Sequence, residues 1–243
     1  MGALARYTFL AYCVLRSVAM FKTPTLVYGM FPAIDFTAKA SEDANAVALA
    51  SARALADLIL ACGMLTFGGL TGRCASLLVI FPMFYVNHVV DGLAHPPIVP
   101  VVATNVVVLL ANIYEAGCGG KLGKYSYAIM QGGFGLLFLT EAPDLVQDPF
   151  TFAKEGTAAL MVGQKLGFAI GFVLCAHAVM TLVKPPMGCV AAMAIIFLGM
   201  AKMAYVDSIP VPRPSVIAAT ICMALCLIDA LFLSGGAEKP KKK

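Results

Sequence analysis

The chain has 243 residues, of which 60% are hydrophobic and 12% are charged, and its formal net charge is +4 at neutral pH. A soluble domain typically has about 25% charged residues, so this composition excludes an ordinary soluble protein. It predicts an all-α integral membrane protein with no room for a soluble catalytic domain.

Eight apolar runs approach the length of about 20 residues that a helix needs to cross a bilayer. In chain order the predicted spans are residues 4–21, 46–67, 74–92, 97–115, 125–140, 157–182, 189–206 and 214–233. The first and the fifth are short for a bilayer. The rival interpretation has six spans and two re-entrant segments.

The second half of the sequence nearly repeats the first half. The matched positions include Pro24 with Pro143, Leu55 with Leu166, Cys74 with Cys189, and Asp91 with Asp207. We therefore predict two tandem four-helix repeats, residues 1–118 and 119–236, followed by a polybasic tail at 237–243. Four spans return the chain to its starting side, so the repeats are expected to be parallel, related by an axis along the membrane normal.

Basic residues collect on one side of this predicted topology. They are Arg6, Arg73, Lys121, Lys124 and Lys184, together with the tail residues Lys239, Lys241, Lys242 and Lys243. The positive-inside rule then puts both termini on the cytoplasmic, matrix or stromal side. We expect a eukaryotic organelle membrane, with the mitochondrial inner membrane, a plastid and the endoplasmic reticulum as candidates. Residues 1–21 belong to the first repeat, so they are expected to be part of the fold rather than a cleaved leader.

Small residues predict which spans lie at the centre of the bundle, because helices in lipid associate by close backbone approach. The sixth span carries Gly163, Gly167 and Gly171 at four-residue spacing. The second span carries two alanine stripes, Ala46, Ala50 and Ala54, and Ala48, Ala52 and Ala56. We expect these two spans to face each other across the pseudo-twofold axis.

Ionisable groups inside a bilayer are costly, and each needs a partner or a polar cavity. The sequence predicts an intramembrane polar cluster of Arg16, Arg53, Asp57, Asn87, His88, Asp91, Lys165 and Lys202. Arg53 and Asp57 are one helical turn apart and are expected to pair. The cluster is interpreted either as salt bridges between helices or as a functional site. In the second case His88 and Asp91 would act in proton relay or as a general base.

Cofactor binding is a further hypothesis for the histidines. His88 and His177 lie within predicted spans, and either could ligate a haem or a pigment as a single axial ligand. The chain has eight cysteines, none two residues from another, so no metal site is predicted and the thiols are expected to be packing residues. Bound lipids are expected.

The sequence contains no catalytic motif, and no catalytic residue is assigned. We expect a non-catalytic multi-pass subunit that packs against other integral membrane subunits, in an energy-transducing respiratory or photosynthetic complex. The alternatives are a small-molecule or ion transporter with a polar path between the repeats, and a lipid-modifying enzyme that uses His88 and Asp91. Besides membrane lipids, the expected partners are anionic headgroups or an acidic surface at the lysine tail. No nucleic acid is expected.

Overall fold

The computed structural model describes residues 2–85, 98–140 and 157–234, and within them the chain is helical, without a β-strand. The long helices are α1 (Ala3–Lys22), α2 (Glu42–Met64), α3 (Gly69–Tyr85), α4 (Ile98–Cys118), α5 (Leu122–Thr140), α6 (Ala158–Leu182), α7 (Met187–Ala201) and α8 (Arg213–Ile228). Each of them overlaps one predicted span. Apolar runs therefore located the helices, although the helix ends differ by several residues.

Local sequence accounts for several of these helix ends. The side chain of Thr157 accepts a hydrogen bond from the backbone N–H of Leu160 and caps the start of α6. Gly68 has a φ of 74°, a left-handed conformation that suits glycine, where the chain leaves α2 and turns into α3. Both α7 and α8 continue as π-helical turns, Lys202–Val206 and Asp229–Leu233.

Within the described residues, five helical stretches are long and apolar enough to cross a membrane. They are Ala3–Lys22, Lys39–Phe67, Ala158–Leu182, Met187–Val206 and Arg213–Leu233. Shorter apolar stretches, Gly69–Phe81 and Val102–Cys118, lie in α3 and α4. The chain is thus an α-helical bundle suited to a membrane, and the count of eight crossings stays a prediction.

The helices form a closed ring whose main contact across the middle joins α2 and α6. Around the ring each helix packs on the next in the order α3, α2, α1, α8, α7, α6, α5, α4 and back to α3, and α2 packs on α6 across the centre. In the apolar part of Lys39–Phe67, 72% of the residues are buried, against 22% for Arg213–Leu233. The central position expected for α2 and α6 is therefore found.

The small residues have more specific partners than the sequence indicated. Ala48, Ala52 and Ala56 are fully buried on the inner face of α2. Gly163, Gly167 and Gly171 are also buried. A Cβ at Gly171, however, would lie 3.0 Å from the carbonyl oxygen of Gly135. This end of the glycine stripe thus faces α5, not α2.

Candidate functional site

Two lysines of the predicted polar cluster meet at one carboxylate near the end of α7. Lys165 on α6 and Lys202 both form ion pairs with Asp207, the latter at 2.8 Å between Nζ and Oδ2. The Lys202 ammonium also lies 3.7 Å from the ring centroid of Phe168, a cation–π contact. The Asp207 side chain is only 5% exposed and each lysine side chain 26%. We call Lys165, Lys202 and Asp207 the lysine–aspartate cluster.

The lysine–aspartate cluster should lose its stabilising effect only in acid. Burial alone would raise the pKa of Asp207, but hydrogen bonds and charge from Lys165 and Lys202 hold it below its usual value of 3.8. A carboxyl with a lowered pKa stabilises the fold at every pH above 3.8, and this contribution falls as pH drops through the lowered pKa. Thermal unfolding of Asp207→Asn and the parent chain should therefore converge in strong acid and differ at neutral pH. An unchanged difference in strong acid would contradict the ion pairing.

The other described members of the predicted polar cluster form no ion pair with the lysine–aspartate cluster. Arg16 donates from Nη1 to the Ser215 hydroxyl on α8 at 2.7 Å. Arg53 has an interaction, but it does not pair with Asp57 as expected. The spacing of these two residues along α2 allows proximity, while the side-chain conformations decide whether they meet. Asn87, His88 and Asp91 lie outside the described residues.

Asp57 differs from the other buried charged groups because it has no partner among the described residues. Its side chain is 8% exposed, and it forms no ion pair or hydrogen bond with any residue that the structure describes. It lies within α2, roughly 10 Å from the last residue of that helix, Met64. An ionised carboxylate at the centre of a bilayer costs about 2.5–3.5 kcal/mol on insertion scales. The neutral acid, or a carboxylate with a bound cation, is thus favoured here.

A second ionic cluster, which the sequence did not predict as a pair, lies at the end of the bundle where α3 begins. Arg73 donates to Asn112 at 2.5 Å and to Glu115 at 2.6 Å, and it is 4% exposed. The other carboxylate oxygen of Glu115 accepts the backbone N–H of Lys124 at 2.9 Å. We call Arg73, Asn112 and Glu115 the arginine–glutamate cluster. The sequence indicated only that Arg73 and Glu115 lie on the same side of the membrane in the predicted topology.

His177 belongs to a buried hydrogen-bond chain across four helices. Its Nε2 lies 2.7 Å from the Leu58 carbonyl oxygen, and its Nδ1 lies 3.1 Å from the Tyr127 hydroxyl. That hydroxyl is 2.6 Å from the hydroxyl of Ser76. A carbonyl only accepts, so Nε2 carries the proton, and Nδ1 then accepts from Tyr127. Both ring nitrogens are engaged, and in this arrangement neither is left for a haem iron or a pigment metal.

Replacing Tyr127 by phenylalanine should remove the middle of this chain without changing the packing volume much. Ser76 and the Nδ1 of His177 would lose their shared partner inside the bundle. We expect the free energy of unfolding to fall by about 1–2 kcal/mol, measured by chemical unfolding in mixed micelles. Tyr125→Phe is the matched control because Tyr125 is exposed on the same helix, and it should leave the stability unchanged. Equal effects of the two variants would contradict the assignment.

The last helix caps the first one. The backbone N–H of Ala5 donates to Asp229 Oδ2 at 2.7 Å, and the amide nitrogen of Gly2 lies 3.0 Å from the Ser234 hydroxyl. Ser234 in turn donates to Asp229 Oδ1 at 2.8 Å. A carboxylate suits a helix N-terminus, where free N–H groups and the helix dipole favour negative charge. Asp229 thus joins the two ends of the described chain at one end of the bundle.

Five of the cysteines come together from four helices. Cys226 is within hydrogen-bonding reach of Cys189 and Cys222, and Cys13 neighbours both Cys62 and Cys226. All five are buried, and every cysteine in the chain is a free thiol. Among the described residues no group of histidines, cysteines and acids could hold a metal ion. The thiols fill the interior between α1, α2, α7 and α8, as small apolar side chains do.

The fold and these internal clusters define an α-helical bundle suited to a membrane, in which most buried polar side chains of the described residues have partners inside the bundle. No protein-family model, no curated protein and no solved structure matches the chain.

Proposed function

We propose that the chain is a non-catalytic multi-pass subunit that packs against other membrane proteins in a larger assembly, an energy-transducing complex of mitochondria or plastids. The observation that carries this proposal is the internal use of the ionic groups. The lysine–aspartate cluster ties α6 to α7, and the arginine–glutamate cluster ties α3 to α4. Asp229 is similarly occupied at the start of α1. Groups used in this way hold helices together and offer no reactive centre.

The outer faces support the same role. Side chains that point outward include Ile217 and Phe232 on α8 and its π turn, and Leu198 and Tyr205 on α7 and its π turn, with Tyr205 87% exposed. These helices contribute little of the buried interior. Apolar faces of this kind suit lipid tails or the helices of neighbouring subunits.

We further propose that the bundle arose from a duplicated four-helix unit. The order of helices around the ring supports this, since exchanging α1–α4 with α5–α8 leaves every neighbour relation unchanged. The contact between α2 and α6 then lies on the pseudo-twofold axis. Parallel repeats of this kind bring both termini to one side of the membrane, which the basic residues indicate to be the positive-inside side.

Affinity purification in a mild detergent tests the proposed role. The tagged chain should migrate on a native gel with a constant set of other integral membrane proteins, identified by mass spectrometry. The control is an unrelated multi-pass protein of the same membrane, purified in parallel, which should not bring down this set. A stable monomer without co-migrating proteins would contradict the proposal.

Amine labelling of sealed vesicles tests the proposed topology. Lys39 and Lys121 are both exposed, and the eight-span arrangement places them on opposite sides of the membrane. A membrane-impermeant reagent should therefore modify one of them in intact vesicles and both after permeabilisation. Modification of both in intact vesicles would contradict the arrangement.

A further inference from the structure

We propose that Asp57 is a proton-binding site inside the bilayer, whose carboxyl group takes up and releases a proton without a partner among the described side chains. The site goes beyond the subunit role and does not depend on it. Asp57 is more than nine-tenths buried on α2, the helix that packs against α1, α3 and α6. Among the aspartates of the described helices and their π-helical turns, it differs from Asp229, which is also buried but accepts two hydrogen bonds.

Three positive charges on the neighbouring helices are engaged elsewhere. Arg16 of α1 bonds Ser215, Arg73 of α3 pairs with Glu115, and Lys165 of α6 pairs with Asp207. His177 on α6 bonds the carbonyl of Leu58, the residue after Asp57, and not the Asp57 carboxyl. Other titratable groups on α1 include Arg6, Tyr12 and Lys22, and the thiols of Cys13 on α1 and Cys62 on α2 belong to the cysteine group. None of these groups forms a hydrogen bond or an ion pair with Asp57. On α2 itself Arg53 has an interaction, but not with Asp57.

A proton satisfies this environment better than a metal cation. Hard cations such as Ca²⁺ and Mg²⁺ bind several oxygen ligands, commonly about six or more. In the part of the chain that the structure describes, no group of acids, histidines and cysteines could hold a metal ion. A proton needs one oxygen atom, and its uptake removes the whole charge. The carboxylate accepts the proton from a hydronium ion to give a carboxylic acid and water, and release reverses this step.

Reaction with dicyclohexylcarbodiimide tests the proposal on the full-length chain in detergent. This apolar reagent adds across the O–H bond of a protonated carboxyl group and rearranges to a stable N-acylurea, which peptide mass spectrometry locates. We expect modification of Asp57 in mildly acidic buffer. Above the titration point the modification rate should fall by roughly tenfold for each further pH unit, as the protonated fraction does.

Asp229 is the matched control because it is as deeply buried and both of its carboxylate oxygens already accept hydrogen bonds, so it should stay unmodified. Asp57→Asn should abolish the adduct, and gel filtration should show that this variant folds. No adduct at Asp57 in acid would overturn the proposal, as would an adduct that does not vary with pH. Protection by sodium chloride at constant pH, absent with choline chloride, would also overturn it, in favour of a metal cation. All these readouts use the purified chain, so they do not depend on the subunits proposed to bind it.

Discussion

Replacing Arg73 by methionine should lower the free energy of unfolding by about 3–5 kcal/mol, the largest effect we expect from a single substitution. The guanidinium of Arg73 is buried and holds both Asn112 and Glu115. Its loss would leave the side-chain carbonyl of Asn112 without this donor and one Glu115 oxygen without its cation. Methionine retains most of the volume, so the change reports the charge and the hydrogen bonds. Chemical unfolding in mixed micelles measures the effect.

Two further variants test the cause of this loss. Lys121→Met removes an exposed charge near the same end of the bundle and should change the stability by less than about 0.5 kcal/mol. Adding Glu115→Gln to Arg73→Met should recover part of the loss, since the uncompensated carboxylate disappears. If Arg73→Met and Lys121→Met had equal effects, the arginine–glutamate cluster would not stabilise the bundle.

Gly135→Leu should give the second large effect, toward the upper end of the about 1–3 kcal/mol typical of overpacking. A Cβ at Gly135 would lie 2.7 Å from the Cys175 sulfur and 3.0 Å from the carbonyl oxygen of Gly171. The second contact is with backbone, so α5 and α6 would have to separate. These two helices share an extensive interface in the bundle. The same unfolding measurement detects the loss.

Gly133→Leu is the control on the same helix. No heavy atom lies within 4 Å of a Cβ at Gly133. Leucine there should leave the stability unchanged or raise it by up to about 1 kcal/mol, because leucine favours the helix more than glycine does. A large loss in this variant would mean that the effect at Gly135 comes from altered helix propensity or membrane insertion rather than from the contact with α6.

The helices were predictable because their signal is local. A run of apolar side chains lowers the transfer free energy of a segment whatever its neighbours are, and a helix satisfies its own backbone hydrogen bonds in lipid. Each of the eight long helices therefore overlaps a predicted span. The small residues of α2 and α6 likewise indicated the central pair, since close approach needs small side chains on the helix concerned.

Charge partners were predictable only in part. Lys165 and Lys202 were assigned to one cluster from their depth, and both pair with Asp207. The expected pair of Arg53 with Asp57 does not form, because helical spacing limits distance but does not choose a rotamer. The hydrogen-bond chain through Tyr127 and His177 had no signal in the sequence apart from its separate polar residues. An isolated polar residue in an apolar helix does not indicate its partner.

Hydropathy and residue size along the chain were therefore enough to establish the class of protein, the positions of the helices and the identity of the central pair. Packing alone determined which buried groups are matched, because the partners lie far apart in sequence, as His177 and Leu58 do at a separation of 119 residues. Packing also distinguished Asp229, which caps α1, from Asp57, which has no partner among the described residues. Both are single aspartates in apolar helices, and only the three-dimensional neighbours of each determine whether its charge is satisfied.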